Sequence, residues 1–121
     1  MIDNNAYCFY ISRMENFLTF FNSKASSDGI LTMRNRIECP DGFSISVQAS
    51  KYHYCSPRET NMGWYNEVEC GYPSTDDISD ELKKYAETPS NYISSIYGYV
   101  PIRIVIRELN RHGFNFAVSP E

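Results

Sequence analysis

The stretch from Phe43 to Ala49 constrains the fold more than any other part of this sequence. Apolar and polar residues alternate along it, which predicts a β-strand with one face on a core. The apolar members are Phe43, Ile45, Val47 and Ala49. Pro40-Asp41-Gly42 precedes the strand, and glycine tolerates the positive φ of tight turns. We therefore expect a hairpin with Ile30–Ile37, and hence an antiparallel sheet.

Other short apolar and aromatic runs predict further extended segments. They are Ala6–Ile11, Lys51–Cys55, Trp64–Cys70 and Tyr92–Val100. Within Trp64–Cys70, alternation places Asn66, Val68 and Cys70 on one face and Tyr65, Glu67 and Glu69 on the other. All six glycines are predicted at turns or element boundaries, so no phosphate-binding glycine loop is expected.

Three helices are predicted from apolar residues that recur at helical spacing. The first follows a capping box at Ser12-Arg13-Met14-Glu15, the second is short and acidic and begins around Ser79, and the third runs from Pro101 to Gly113. Their apolar faces are Met14, Phe17, Leu18 and Phe21; Ile78, Leu82, Tyr85 and Ala86; and Ile102, Val105, Ile106 and Leu109. The polar run Asn22–Gly29 separates the first helix from the rest.

This order predicts an α+β fold, with an antiparallel sheet of about four to five strands and two to three helices packed on it. The 121 residues fit a single domain, 1–121. Residues 1–28 are predicted to be an N-terminal strand-helix extension, and residues 30–113 the α+β core.

The sequence predicts a soluble cytoplasmic protein. Its start lacks a basic, apolar signal sequence, and no apolar run reaches the roughly 20 residues that span a bilayer. The cysteines Cys8, Cys39, Cys55 and Cys70 are widely spaced, and we expect reduced thiols.

Negative charge is concentrated in one segment. Glu67–Glu87 holds seven acidic and two basic residues, a balance of −5 within a net charge of −4. Phosphates require Lys and Arg, so this segment is not expected to bind nucleic acid directly; it favours a basic protein surface. On the last helix, Arg103, Arg107 and Arg111 form a basic stripe, expected to be a solvated face or a contact to an acidic partner or to Glu residues in a dimer.

Catalytic and metal chemistry have weak signals. In an extended strand, His53 and Cys55 would share a side, as a thiol nucleophile and its base must. With Cys70 and His112 they are the soft ligands that could converge on a metal, but the closely spaced pairs of structural zinc sites are absent. We therefore expect no catalytic residue, no cofactor and no metal.

One run carries a resemblance. Val47-Gln48-Ala49-Ser50-Lys51-Tyr52-His53-Tyr54-Cys55-Ser56-Pro57-Arg58 resembles small uncharacterised proteins of phages and mobile elements in Gram-positive bacteria. Weaker pieces of the same resemblance are Tyr65–Ser74, Tyr97–Pro101 and Arg111–Gly113, so that it covers about Arg34 to Gly113. The extension Met1–Asp28 departs from that pattern, and the resemblance implies no established activity.

A short, acidic chain of this kind resembles an anti-CRISPR inhibitor, which implies a host protein as partner, namely a Cas effector such as Cas9 or its guide complex. Carboxylates could compete for the basic groups with which such effectors hold nucleic acid. The predicted partner-binding residues are Trp64, Tyr65, Glu67, Glu69, Asp76, Asp77, Asp80 and Glu81. Two alternatives stay open: a thiol- or metal-dependent enzyme using His53, Cys55 and Cys70, and a self-associating structural or regulatory phage protein.

Overall fold

The computed structural model describes residues 17–24 and 33–116, which form a four-stranded antiparallel sheet with three helices. The strands are neighbours in chain order, β1-β2-β3-β4. The predicted α+β class is confirmed. The elements are helix α1 (residues 17–23), strands β1 (Ile37–Glu38), β2 (Ser44–Gln48) and β3 (Glu67–Gly71), helix α2 (Asp80–Lys83), a 3-10 turn (Tyr92–Ser94), strand β4 (Ile96–Pro101) and helix α3 (Ile102–Arg111).

The hairpin between β1 and β2 forms as predicted. Gly42 has a φ of 94° and donates its N–H to the Cys39 carbonyl. The Asp41 carboxylate accepts the Phe43 N–H at 2.9 Å, which fixes the turn. All four predicted apolar residues of the second strand are buried. The first strand is shorter than predicted and covers only Ile37–Glu38 of the described residues.

Two predicted strands are corrected. Lys51–Cys55 forms turns because Ser50 bonds the chain that follows: its hydroxyl accepts the Tyr52 N–H, and its carbonyl accepts the His53 N–H. Tyr92–Val100 is divided into a 3-10 turn and β4, since the Asn91 side chain caps the turn by accepting the Ser94 N–H.

The core lies on the face of the sheet that α3 covers. Ile102, Val105, Ile106 and Leu109 are buried there as predicted. The helix starts one residue after Pro101 and ends before Gly113, whose φ of 111° suits a helix stop. In α2, Ser79 accepts the Leu82 N–H as a cap, and Ile78 and Leu82 are buried as expected. Within the described ranges, every helix is too short or too polar to pass through a lipid bilayer.

The described part of the N-terminal extension joins the same core. Phe17 and Phe21 of α1 are fully buried, as their spacing predicts. Arg34 holds the helix, because its guanidinium stacks on the Phe21 ring at 4.0 Å and donates to the carbonyls of Phe21 and Ala49. The predicted strand Ala6–Ile11 and the capping box Ser12–Glu15 lie outside the described residues.

Candidate interaction surfaces

Four of the predicted binding residues gather around the start of α2. We call Asp76, Asp77, Asp80 and Glu81 the acidic ridge. All four are exposed, whereas the apolar residues between them anchor the segment to the core. The sequence therefore places these carboxylates on the surface of a fixed element.

The acidic ridge pairs with the predicted basic stripe. Arg107 lies 3.1 Å from Glu81, and Arg111 lies 3.2 Å from Asp77. A looser pair joins Lys83 and Asp80 at 3.8 Å. The acidic ridge and the part of the stripe formed by Arg107 and Arg111 are thus one surface of mixed charge.

A buried carboxylate holds the ridge to the last helix. Glu108 is only 2% exposed, and its Oε1 accepts the Ser79 N–H at 3.0 Å. Its Oε2 accepts from Arg111 at 2.6 Å and lies 3.3 Å from Nε2 of His112. Because every oxygen of this buried group has a partner, the charge is compensated where it would otherwise be costly.

His112 connects the same network to the β1–β2 turn. Its Nδ1 lies 2.7 Å from Asp41, and its Nε2 lies 3.1 Å from the Asp77 carbonyl. The ring stacks on Phe43 with centroids 3.8 Å apart. Both nitrogens of this buried ring lie within hydrogen-bond distance of protein oxygens, so the geometry fits a histidine that positions structural elements.

The remaining predicted binding residues are separated from the ridge. Val68 of β3 is buried in the core. Because successive side chains of a strand point to opposite faces, Glu67 and Glu69 lie on the other face of the sheet. Tyr65 is 3% exposed, and its hydroxyl donates to the Glu59 carbonyl at 2.8 Å. Its prediction as an aromatic anchor for a partner is therefore wrong. Trp64 is half exposed, as an anchor must be.

Cys55 and His53, in the run Val47–Arg58 that carries the resemblance, are not arranged as a nucleophile and its base. Cys55 Sγ donates to the Ser50 carbonyl at 3.1 Å, while His53 Nδ1 lies 2.7 Å from the Ser50 hydroxyl. Burial raises the pKa of Cys55, whereas an activated thiol needs a lowered one. Cys70 is buried on the core face, and burial raises its pKa as well. Among the described residues, no three or more His, Cys, Asp or Glu side chains are placed to share a metal ion.

The run Val47–Arg58 and Tyr99 of β4 form a second exposed surface. We call Lys51, Tyr52, Tyr54, Arg58 and Tyr99 the tyrosine surface. Tyr54 and Tyr99 have ring centroids 5.9 Å apart, and the Arg58 guanidinium lies 5.3 Å from the Tyr54 ring. Lys51 lies similarly over the ring of Tyr52, at 5.2 Å. Arg58 also donates to the Lys51 carbonyl at 3.1 Å, which closes the loop between them.

A β-bulge fastens Tyr54 to the sheet. Two residues of β4, Gly98 and Tyr99, lie between the partners of Val68 and Cys70, where β3 has only Glu69, so β4 contains one extra residue, and Tyr99 takes a φ of 55°. The bulge frees the Tyr99 N–H, which donates to the Tyr54 carbonyl at 2.9 Å. On its other side, the Tyr54 N–H donates to Glu69 Oε2 at 2.9 Å. Tyr54 is therefore held through both of its backbone groups.

Gly98 makes this close approach possible. A Cβ at that position would lie 3.3 Å from the Cβ of Tyr54, tighter than ordinary contact. The predicted placement of Gly98 at a turn or boundary is corrected, since it lies inside β4. The signal was present in the sequence, because a lone glycine inside a strand is typical of a bulge or of close backbone approach.

Comparison with models of known protein families finds no match, and no curated protein or solved structure is significantly similar to the chain. The function is therefore inferred from the residues and geometry of the chain itself.

Proposed function

We propose that this protein acts by binding and not by catalysis, as a phage or mobile-element inhibitor of a host protein in the bacterial cytoplasm. A Cas effector such as Cas9 is the proposed partner, and the acidic ridge is the proposed contact. The observation that carries this proposal is the exposed position of four neighbouring carboxylates on a capped, core-anchored element.

The ion pairs of the ridge support a contact that is preorganised. Arg107 and Arg111 restrict the side chains of Glu81 and Asp77, so less conformational entropy remains to be lost on binding. Asp76 forms no ion pair within the described part of the chain, and the partner of Asp80 is distant at 3.8 Å. These two carboxylates are the most available to basic groups of a partner.

The arginines also limit how the ridge can act. Three cations within ion-pair distance offset much of the charge of four carboxylates, so long-range attraction to a basic channel is weak. We therefore propose short-range competition for the Arg and Lys groups that bind nucleic acid, in place of electrostatic steering.

The test is a pull-down and DNA-cleavage assay with purified Cas9 and its guide RNA. The double variant Asp76→Asn, Asp80→Asn should weaken inhibition by about tenfold or more, since each lost charge-assisted contact removes on the order of 1 kcal/mol. The matched control is Glu38→Gln, Glu87→Gln, which removes two exposed acids outside the ridge and outside the predicted partner-binding residues. Absence of inhibition would reject this partner, and equal inhibition by both double variants would reject the ridge as the contact.

A further inference from the structure

The tyrosine surface contains cations that the rest of the fold does not use. Within residues 17–24 and 33–116, neither Lys51 nor Arg58 has a carboxylate in ion-pair distance, unlike Arg107 and Arg111 on α3. Both cations instead lie over exposed tyrosine rings. Their positive charge is available to a group that approaches from outside.

The backbone at Tyr99 is kept in a conformation that glycine would adopt more easily. At a φ of 55°, the Cβ of an L-residue is crowded by the following carbonyl. Tyr99 is 43% exposed, so a large part of the residue lies outside the core. A bulky aromatic residue at such a position is unfavourable for folding, and strained residues of this kind cluster at binding sites.

The surface is also rigid before any partner arrives. Both backbone groups of Tyr54 are bonded, its Cβ lies against Gly98, and the residue is still 38% exposed. Tyrosine and arginine dominate the energetic centres of protein interfaces, where rigid side chains lose little entropy. The composition and the geometry of the surface therefore agree with a docking site.

We propose that the tyrosine surface is a docking site for an acidic segment of another protein, whose carboxylates meet Lys51 and Arg58 while apolar side chains pack on Tyr54 and Tyr99. A protein fits better than a nucleic acid. Two cations are too few to neutralise a strand with a phosphate at every nucleotide. This site lies on the other face of the sheet from the acidic ridge and does not depend on the function proposed for that ridge.

The test uses three fluorescein-labelled probes and fluorescence polarisation at low salt. The first is a ten-residue peptide in which glutamate alternates with leucine, the second replaces each glutamate with lysine, and the third is a ten-nucleotide thymidine strand. The glutamate peptide should bind in preference to both others. Tyr54→Ala and Arg58→Gln should each weaken its binding by about fivefold or more.

The matched controls keep the same residue types elsewhere. Tyr72→Ala removes an exposed tyrosine that also has a positive φ, and Arg103→Gln removes an exposed arginine of α3; neither should change the binding of the glutamate peptide. Preference for the lysine peptide or the thymidine strand would overturn the proposal. So would peptide binding that Arg58→Gln leaves intact, a variant that decides the question even if Tyr54→Ala does not fold.

Discussion

The acidic ridge and the tyrosine surface lie on opposite faces of one sheet and are stabilised in opposite ways. In the ridge, charged side chains pair with one another across α2 and α3, and a buried carboxylate, Glu108, connects them to the core. In the tyrosine surface, backbone hydrogen bonds and a bulge position Tyr54 and Tyr99, while the charges stay unpaired in the described chain.

The difference separates charges that serve the fold from charges that remain for a partner. Arg111 contacts both Glu108 and Asp77, so its charge already stabilises the junction of two helices. Arg58 meets only a carbonyl and an aromatic ring. A count of acidic and basic residues makes the Glu67–Glu87 segment the most obvious binding site. In the described chain, however, Lys51 and Arg58 of the tyrosine surface are cations without an ion pair, and they lie on the other face of the sheet.

The largest expected effect breaks the network beneath the ridge. Glu108→Ala leaves the Ser79 N–H without its acceptor and opens a cavity beside His112, while Arg111 keeps Asp77 and His112 keeps Asp41. We expect the free energy of unfolding to fall by about 2–4 kcal/mol, because a buried N–H loses its partner and the removed side chain leaves a cavity. Urea denaturation followed by circular dichroism measures this change.

The control for that variant is Glu81→Ala, which removes an exposed carboxylate of α2 that pairs with Arg107 of α3. It should cost less than about 1 kcal/mol, since surface ion pairs contribute little. If the two variants were equally stable, the ridge would be held by its apolar contacts alone, and the contrast between the two surfaces would disappear.

Local patterns predicted the elements whose residues interact with near neighbours in the chain. Alternation located β2, helical spacing located the buried face of α3, and Ser79 marked the start of α2. These signals depend on a few consecutive residues, so they remain valid whatever the rest of the fold does.

Contacts between distant residues were missed. His112 meets Asp41 across 71 positions of the sequence, and Glu69 meets Tyr54 across 15. One signal for the buried network was present, because Glu108 precedes Arg111 by three residues and His112 by four, the spacing of interacting pairs on a helix. The pairing of Asp77 with Arg111 had no such signal, since it depends on how α2 lies against α3.

The next effect tests whether the tyrosine surface stores backbone strain. Tyr99→Gly and Tyr99→Ala remove the same ring, but only glycine lacks the Cβ that crowds a φ of 55°. Tyr99→Gly should be more stable than Tyr99→Ala by about 1 kcal/mol in urea denaturation, although glycine is ordinarily the less favourable residue in a strand. The same pair of substitutions at Tyr97, a buried residue of β4 without positive φ, should show the reverse order.

The smallest expected effect is a pH dependence of the free energy of unfolding that comes from His53, near the tyrosine surface and away from the acidic ridge. Burial lowers the pKa of His53 below its ordinary value of 6.5, because the buried ring resists taking a charge. Well above pH 6.5 the ring is neutral in both states and contributes no difference. As the pH falls below 6.5, the unfolded chain takes up a proton before the folded one does, so the free energy of unfolding must decrease.

His53→Gln should flatten this part of the profile in urea denaturations between pH 5 and 8. A difference between the two profiles that has no slope in this range would place His53 in contact with water in the folded state.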